Sequence, residues 1–330
     1  MSELHKFLFD GLPVRGMIVR LTDAWTEILR RRAANTETGN YAPAVRELLG
    51  EMAAAGVLMQ SNIKFNGALV FQIHGDGPVK LSVVEVQPDL SLRATATIPT
   101  TAPEDSASLS SLVNVNGNGR CAITLDPKNR MPGQQPYQGI VPLNGEHGQK
   151  LEKLSDVIQQ YMRHSEQLDT TLVLAANDEV AAGLLIQRMP VKGEGNLDAA
   201  QNLEAEADQM DVNEDYNRIS TLASSLTRDE LLTLDVDTIL RRLFWEEKLL
   251  RFVPQQGVDG PRFACSCSRE RVSAMLKGLG EEEVQSVLDE RGSVEVGCEF
   301  CGQQYRYDAV DTAQLFTEPQ MQPPGSRNIQ

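Results

Sequence analysis

Two short motifs near the C-terminal end of the chain carry four of its five cysteines: Cys265-Ser-Cys267 and Cys298-Glu-Phe-Cys301, with thirty residues between them. Two closely spaced pairs that a fold brings together are a common way to build a tetrahedral all-sulfur metal site. Thiolate ligands favour Zn²⁺, with mononuclear iron as the weaker alternative. All four histidines lie far upstream, so we do not expect a histidine ligand. The sequence therefore predicts that Cys265, Cys267, Cys298 and Cys301 bind one zinc ion per chain in the reduced state.

Composition limits the class of protein. The chain has 330 residues, enough for two or three domains, and its 31 basic against 46 acidic residues give a net charge of −15. An acidic chain opposes binding to nucleic acid, which requires a basic surface. No apolar run approaches the ~20 residues that span a bilayer, and residues 1–12 lack the pattern of a secretory signal. We therefore expect a cytoplasmic protein with no nucleic-acid or membrane partner, in a reducing compartment where thiols stay free.

Residues 1–190 have the pattern of one strand-rich α+β core domain. Its predicted elements are a hairpin over residues 4–21, helices over 23–32, after Pro43 and over 151–162, strand-like runs between 68 and 143, and a last hairpin over 171–187. Cys121 lies in one of the apolar strands, and we expect it to be a buried, inert thiol. These elements suffice to form an apolar core.

The composition changes after residue 190. Residues 191–218 contain eight acidic and few large apolar residues, which predicts an acidic mobile linker. Residues 219–260 are predicted to be a helical linker segment, with a capping box that starts at Thr227 and an apolar helix face over 239–244. Such a face must lie on another surface. The candidate surfaces are the preceding sheet and the cysteine module that follows.

Residues 261–316 are predicted to form a small zinc-binding module. Two short helices, separated at Gly280, precede a strand that leads into the second cysteine motif, and Tyr305 and Tyr307 lie on the returning strand. So few large apolar side chains cannot build a stable core unaided, whereas structural zinc contributes about 10–16 kcal/mol in zinc-finger peptides. Folding of this module should therefore depend on the metal. Residues 317–330 contain three prolines and are predicted to be a disordered tail.

The cysteine module resembles that of a known family. The sequence Cys265-Ser-Cys267-Ser-Arg-Glu-Arg271, followed by Gly297-Cys298-Glu-Phe-Cys301-Gly302, is similar to the zinc module of the 33-kilodalton heat-shock protein family, the redox-regulated bacterial chaperones. Further similar stretches are Tyr137-Gln-Gly-Ile-Val-Pro-Leu143, Tyr161-Met-Arg-His-Ser-Glu-Gln-Leu168 and Glu230-Leu-Leu-Thr-Leu234. The acidic stretch over 192–218 is longer than the family pattern leads us to expect, and the C-terminal tail has no counterpart in it.

The resemblance implies a function. Members of that family are holdase chaperones that need no ATP, protect unfolding proteins under oxidative and heat stress, and are inactive while reduced and zinc-bound. Oxidation forms disulfides, releases zinc and unfolds the linker. By this resemblance the disulfides are Cys265–Cys267 and Cys298–Cys301, the partners are unfolding client proteins, and the oxidised form is a candidate homodimer. The residues agree with this chemistry, because zinc holds cysteines as thiolates and the thiolate is the oxidisable form.

Other interpretations of the module stay open. It could be a structural zinc clip that serves as a nucleic-acid or protein interaction module. Arg269 and Arg271 offer positive charge for nucleic acid, but Glu281, Glu282 and Glu283 offset it. An enzyme is not expected, because the sequence has no P-loop, G-x-G-x-x-G, G-x-S-x-G or H-E-x-x-H motif. Four thiolates would also leave zinc no open position for catalysis.

Overall fold

A computed structural model describes residues 1–34, 39–98, 107–129, 135–190 and 214–317. The chain divides into two compact units, Met1–Ala264 and Cys265–Gln330. The first unit holds the predicted α+β domain together with the helical segment, and the second holds the cysteine module. The predictions for residues 191–213 and 318–330 fall outside the described residues, whereas residues 214–218 lie in a helix.

The first unit is mixed α+β, as predicted. Its strands are β1 (Glu3–Phe9), β2 (Val14–Leu21), β3 (Gly67–His74), β4 (Leu81–Val86), β5 (Ser91–Thr97), β6 (Arg120–Pro127), β7 (Tyr137–Pro142), β8 (Thr170–Ala176), β9 (Ala181–Arg188), β10 (Leu249–Arg251), β11 (Gln255–Gln256) and β12 (Arg262–Phe263). Its helices are α1 (Asp23–Ala33), α2 (Pro43–Asn62), α3 (Leu109–Val113), α4 (Leu154–Ser165), α5 (214–224), α6 (Arg228–Thr233) and α7 (Val236–Phe244).

Helix α2 lies between two sheets. Sheet 1 has the order β10-β1-β2-β9-β8, with β11 also paired to β1, and sheet 2 has the order β12-β5-β4-β3-β6-β7. Strands of both sheets pack against α2, which is buried on nearly every face. A glycine permits the close approach to sheet 1, because a Cβ atom at Gly50 would lie 2.5 Å from that of Ala176. The main apolar core therefore surrounds this helix.

The outer face of sheet 1 is covered by α5, α6 and α7, which we call the linker helices. Alternation along β9 shows why both faces of this sheet are apolar: Leu185 belongs to the core around α2, whereas Leu184 and Ile186 belong to a second core beneath the linker helices. The linker helices contribute Ile219, Leu231, Leu232, Ile239, Leu240, Leu243 and Phe244 to this second core. The expectation that the preceding sheet supports the helical segment is confirmed.

The chain between the linker helices and the cysteine module adds strands to both sheets. Strands β10 and β11 pair antiparallel with β1, and β12 pairs parallel with β5. The side chain of Arg262 also donates from Nη1 to the backbone oxygen of Asp89 at 2.8 Å and forms an ion pair with its carboxylate. The sequence analysis placed the residues of β10 and β11 in a helical segment over 219–260, and the structure corrects this to strands. Two or three residues are too few to show a hydrophobic period.

The second unit contains α8 (Arg269–Leu279), α9 (Glu281–Arg291), β13 (Val294–Gly297), β14 (Gln304–Tyr307) and α10 (Ala309–Phe316). Among its described residues, the buried apolar side chains form one small core: Leu276, Val284, Leu288, Val294 and Tyr307. Helix α10 was not predicted, although Asp308 and Asp311 form a capping box at its start. So small a core agrees with a module whose stability depends on a metal.

Candidate metal centre

Two turns carry the four cysteines of the second unit. Cys265 and Cys267 precede α8, and the N-cap residue of that helix is Ser268, whose Oγ atom accepts from the backbone N–H of Arg271. Cys298 follows β13, and its turn is closed by two hydrogen bonds, from Cys298 N–H to Gln303 oxygen (2.9 Å) and from Gly302 N–H to Cys298 oxygen (2.8 Å). Gly302 has a φ of 72°, the left-handed conformation that favours glycine.

The four sulfur atoms converge. All lie within 4.8 Å of one another. Cys265 Sγ is 3.7 Å from Cys298 Sγ, and Cys267 Sγ is 3.3 Å from Cys301 Sγ. Four sulfurs bound to zinc at ~2.3 Å stand roughly 3.8 Å apart, whereas a disulfide requires about 2.05 Å. No disulfide joins these four cysteines, and they are positioned to hold a metal ion, as the sequence predicted.

The protonation of the cluster also fits a cation. Burial raises the pKa of the Cys301 thiol to about 11, and a hydrogen bond with Cys265 together with burial raises the pKa of Cys298 far above its ordinary value. Sulfurs this close resist ionisation because each new negative charge lies next to the others. A divalent cation among them would offset that charge and convert thiols to thiolates. The donor set is the one that soft metals such as zinc prefer.

A tyrosine adds a donor to the cluster. The Tyr305 hydroxyl, on β14, donates to Cys267 Sγ at 3.2 Å. Tyr307, two residues later on the same strand, instead donates to the backbone oxygen of Arg269 at 3.0 Å. The sequence analysis placed both tyrosines on the returning strand but assigned them no role, although strand alternation puts them on one face.

Cys121 lies apart from this cluster, on β6 in the core of the first unit. It is fully buried, and burial raises the pKa of its thiol to about 12. Its expected character as a buried thiol is therefore confirmed, and the high pKa leaves almost no thiolate at neutral pH.

Aromatic side chains hold the last linker helix on sheet 1. The ring of Phe244 meets that of Phe9 edge-on, with centroids 5.1 Å apart, and lies 6.2 Å from that of Phe7. Trp245, the next residue, is 73% exposed. The ring of Phe244 therefore holds α7 on sheet 1, whereas the side chain of Trp245 is exposed to solvent.

Polar contacts hold the other linker helices. Thr171 on β8 exchanges hydrogen bonds with Tyr216 Oη (3.1 Å) and Ser220 Oγ (2.6 Å) of α5. Arg228 of α6 donates to the backbone oxygen of Ala176 and pairs with Glu47 of α2. The predicted capping box is confirmed at Thr227, whose side chain accepts from the backbone N–H of Glu230.

A cavity of about 690 Å³ lies between α2, α4, β8 and the linker helices. Glu51 of α2 lines it, with Glu47, Lys153 and Arg228 nearby. Burial, with the neighbouring charge of Glu47 as the second cause, raises the pKa of Glu51 to about 8. The residues that close the cavity from the linker side are Ser224, Leu226 and Arg228.

Comparisons with known proteins agree with one another. The family described as "Hsp33 protein" matches residues 2–308. The 33 kDa chaperonin of Chromobacterium violaceum is 44% identical over 315 residues, which cover 96% of this chain and 94% of that protein. The protein of the same name from Methylobacillus flagellatus is 40% identical over 319 residues, with coverage of 96% and 94%.

A solved structure has the same fold. The crystal structure of the 33 kDa chaperonin from Thermotoga maritima is similar with a TM-score of 0.68 at 19% identity, over 95% of this chain and 97% of that chain. Within the described ranges, no helix combines the length and apolar character that crossing a bilayer requires.

Proposed function

Because the chain belongs to the Hsp33 family, as its cysteine module indicated, we propose that it is a chaperone that holds unfolding proteins without ATP and is activated by thiol oxidation. The observation that carries the proposal is the four-sulfur cluster of Cys265, Cys267, Cys298 and Cys301, placed directly after the chain that covers sheet 1. Its curated relatives are named 33 kDa chaperonins. We propose no catalytic residue.

In the reduced state, the four cysteines hold one Zn²⁺. Bound there, the metal would keep all four sulfurs as thiolates and would supply folding free energy to a unit whose apolar core is small. The linker helices lie on sheet 1, and their apolar faces are buried there. This state hides the surface on which an unfolding protein would bind, and we propose that it is inactive. A reducing cytoplasm would maintain it.

Oxidation converts the cluster into disulfides. In each pair, one thiolate attacks an oxygen atom of hydrogen peroxide. The O–O bond breaks, hydroxide leaves and is protonated to water, and a sulfenic acid forms. The second thiolate attacks that sulfur, the S–S bond forms, and hydroxide leaves as water after protonation. The peroxide takes two electrons from each pair. The family pattern gives the pairs Cys265–Cys267 and Cys298–Cys301, and the sulfurs of all six possible pairs lie within 4.8 Å of each other.

Loss of the metal ligands then releases the linker helices from sheet 1. The short linker helices are marginal on their own, and their stability comes from tertiary contacts. Residues 249–263, which include β10, β11 and β12, connect the linker helices to Cys265. A conformational change at Cys265 can therefore be transmitted to the linker helices through this segment. Opening exposes the apolar residues of the second core beside many charged groups. Unfolding client proteins would bind the apolar groups while the charges keep the complex in solution; the same exposure would allow an oxidised homodimer.

One experiment tests the proposal. Zinc content and suppression of client aggregation are measured on the full chain before and after peroxide treatment, without nucleotide. We expect one zinc per chain and little holdase activity in the reduced form, and zinc loss with high activity after oxidation. A structural zinc clip would lose zinc and gain no activity. A nucleic-acid module would bind DNA or RNA in the reduced form, with an affinity that falls steeply with salt.

A further inference from the structure

The four sulfurs of the cluster differ in the donors that reach them. Cys298 accepts from the backbone N–H groups of Phe300 and Cys301, and Cys301 accepts from that of Gln303. Cys267 instead accepts from a side chain, the hydroxyl of Tyr305, at 3.2 Å. A backbone N–H donor remains when a side chain is replaced. The hydroxyl donor to Cys267, in contrast, is lost if residue 305 is not a tyrosine.

Strand β14 aims this hydroxyl. Tyr305 pairs with Val296 on β13, and its ring packs against the small core of the second unit. The ring is therefore held from behind while the hydroxyl reaches the sulfur. Tyr307 has the same strand and the same face, but its hydroxyl meets the backbone oxygen of Arg269 and Ser273 Oγ, both at 3.0 Å. The two tyrosines form a natural pair for comparison.

We propose that Tyr305 is a positioning residue that makes Cys267 less reactive toward electrophiles than it would otherwise be. The inference rests on the proposed zinc-thiolate state, because a thiolate is a far stronger acceptor than a thiol. A donor on the thiolate draws electron density away from the attacking lone pair. It also fixes the direction of the sulfur and supports metal binding, as second-layer partners of metal ligands do. Tyr305 thereby sets how readily one of the four sulfurs starts the switch.

The test uses zinc-loaded full-length protein, the variant Tyr305→Phe and the matched control Tyr307→Phe. A limiting amount of iodoacetamide is added, the sulfur attacks its carbon, the C–S bond forms and iodide leaves. Mass spectrometry then gives a labelling rate for each cysteine. In Tyr305→Phe, we expect Cys267 to be labelled about tenfold faster relative to the other three cysteines. In Tyr307→Phe, we expect the relative rates of the four cysteines to match those of the wild type.

A second variant separates donor strength from packing. Replacing Tyr305 with 3-fluorotyrosine strengthens the O–H donor with almost no change in shape, so labelling of Cys267 should become slower than in the wild type. Equal acceleration of all four cysteines in Tyr305→Phe, or no change at Cys267 in either variant, would overturn the inference. Zinc content well below one per chain in reduced wild-type protein would overturn the proposed function itself. Full zinc content with unchanged labelling of Cys267 would overturn the role of Tyr305 alone.

Discussion

The guanidinium of Arg20, on β2, donates to the backbone oxygens of Leu231 (2.7 Å) and Leu232 (3.1 Å) at the end of α6. The last carbonyl groups of a helix have no partner within it, and here a charged side chain from sheet 1 supplies one. Partial burial lowers the pKa of Arg20 from its ordinary value, against the opposing charges of Glu3 and Asp235. This contact joins α6 to sheet 1, in addition to the polar contacts that Thr171 and Ala176 of β8 make with the linker helices.

Replacing Arg20 should weaken the packing of the linker helices on sheet 1 without any oxidation. Arg20→Ala leaves two carbonyl oxygens without their donor, and loss of hydrogen bonds to a charged group costs about 1.5–3 kcal/mol. We expect faster hydrogen exchange over residues 219–252 and measurable holdase activity in reduced, zinc-loaded protein. Arg15→Ala is the control, because Arg15 lies on the same strand but binds the side chain of Gln187. Equal activation by both substitutions would contradict the assignment.

Removing the aromatic contact of α7 should also activate the reduced protein. Phe244→Ala removes the ring that packs on Phe9 and Phe7, and such truncations cost about 3–5 kcal/mol in a core. The reduced protein should then suppress client aggregation before peroxide is added. Trp245→Ala removes a ring of similar size that is exposed, so it should leave the reduced protein inactive. An inactive Phe244→Ala protein with fast exchange in α7 would mean that uncovering sheet 1 is not the activating step.

Metal removal should unfold the second unit and leave the two sheets of the first unit folded. A strong chelator, or replacement of any one of the four cysteines of the cluster by serine, should remove zinc and raise hydrogen exchange across 265–316. Strands β3, β6 and β9 should keep their protection, because the core around α2 is built from described residues of the first unit. Cys121→Ser is the control and should retain one zinc per chain, since this thiol is buried in the first unit. Loss of zinc in the control would show that the ligand set is wrong.

The stability of the first unit should fall as pH rises toward 8. The pKa of Glu51 is about 8 in the folded chain against an ordinary 4.5, so between these values the folded state binds a proton that the unfolded state lacks. Glu51→Gln mimics the protonated carboxyl and should raise the free energy of unfolding at pH 8 by roughly 2 kcal/mol or more, since one pKa unit corresponds to about 1.4 kcal/mol. The gain should vanish near pH 4.5.

Urea denaturation at several pH values measures this effect. The control is Glu179→Gln, which changes an exposed glutamate of the same unit and should leave the pH dependence as in the wild type. A gain for Glu51→Gln that is the same at pH 5 and pH 8 would show that the effect comes from packing and not from the proton.

Much of the fold follows from sequence because its elements are long enough to show a period. The β1–β2 hairpin, α2 and α4 were expected from runs of apolar residues, and the structure has them with small changes at their ends. The order of strands in two sheets could not be derived, because it depends on contacts between residues far apart in the chain. The covering strands β10, β11 and β12 are too short to leave a pattern.

The site divides in the same way. The spacing of the cysteines was enough to predict that their sulfurs meet, because both pairs are local and a small module leaves few ways to arrange them. The roles of Arg20 and Tyr305 could not be predicted. Arg20 binds a residue 211 positions away in the sequence. The Tyr305 hydroxyl contacts Cys267, 38 positions earlier, because of the direction of β14, which sequence spacing does not reveal.

Strand β1 owes its shielded outer edge to the chain that leads toward the cysteines. Residues 249–256 pair with it through β10 and β11, and the N–H of Phe252 donates to Lys6 oxygen at 3.0 Å. Withdrawing that chain would turn β1 into an edge strand with a row of unpaired N–H and C=O groups. Such an edge accepts any extended polypeptide, because it recognises backbone and ignores side-chain identity. A protein that must bind many unrelated chains would thus gain a strand edge that pairs with polypeptide of any sequence. Residues 249–256 block that edge until they are displaced.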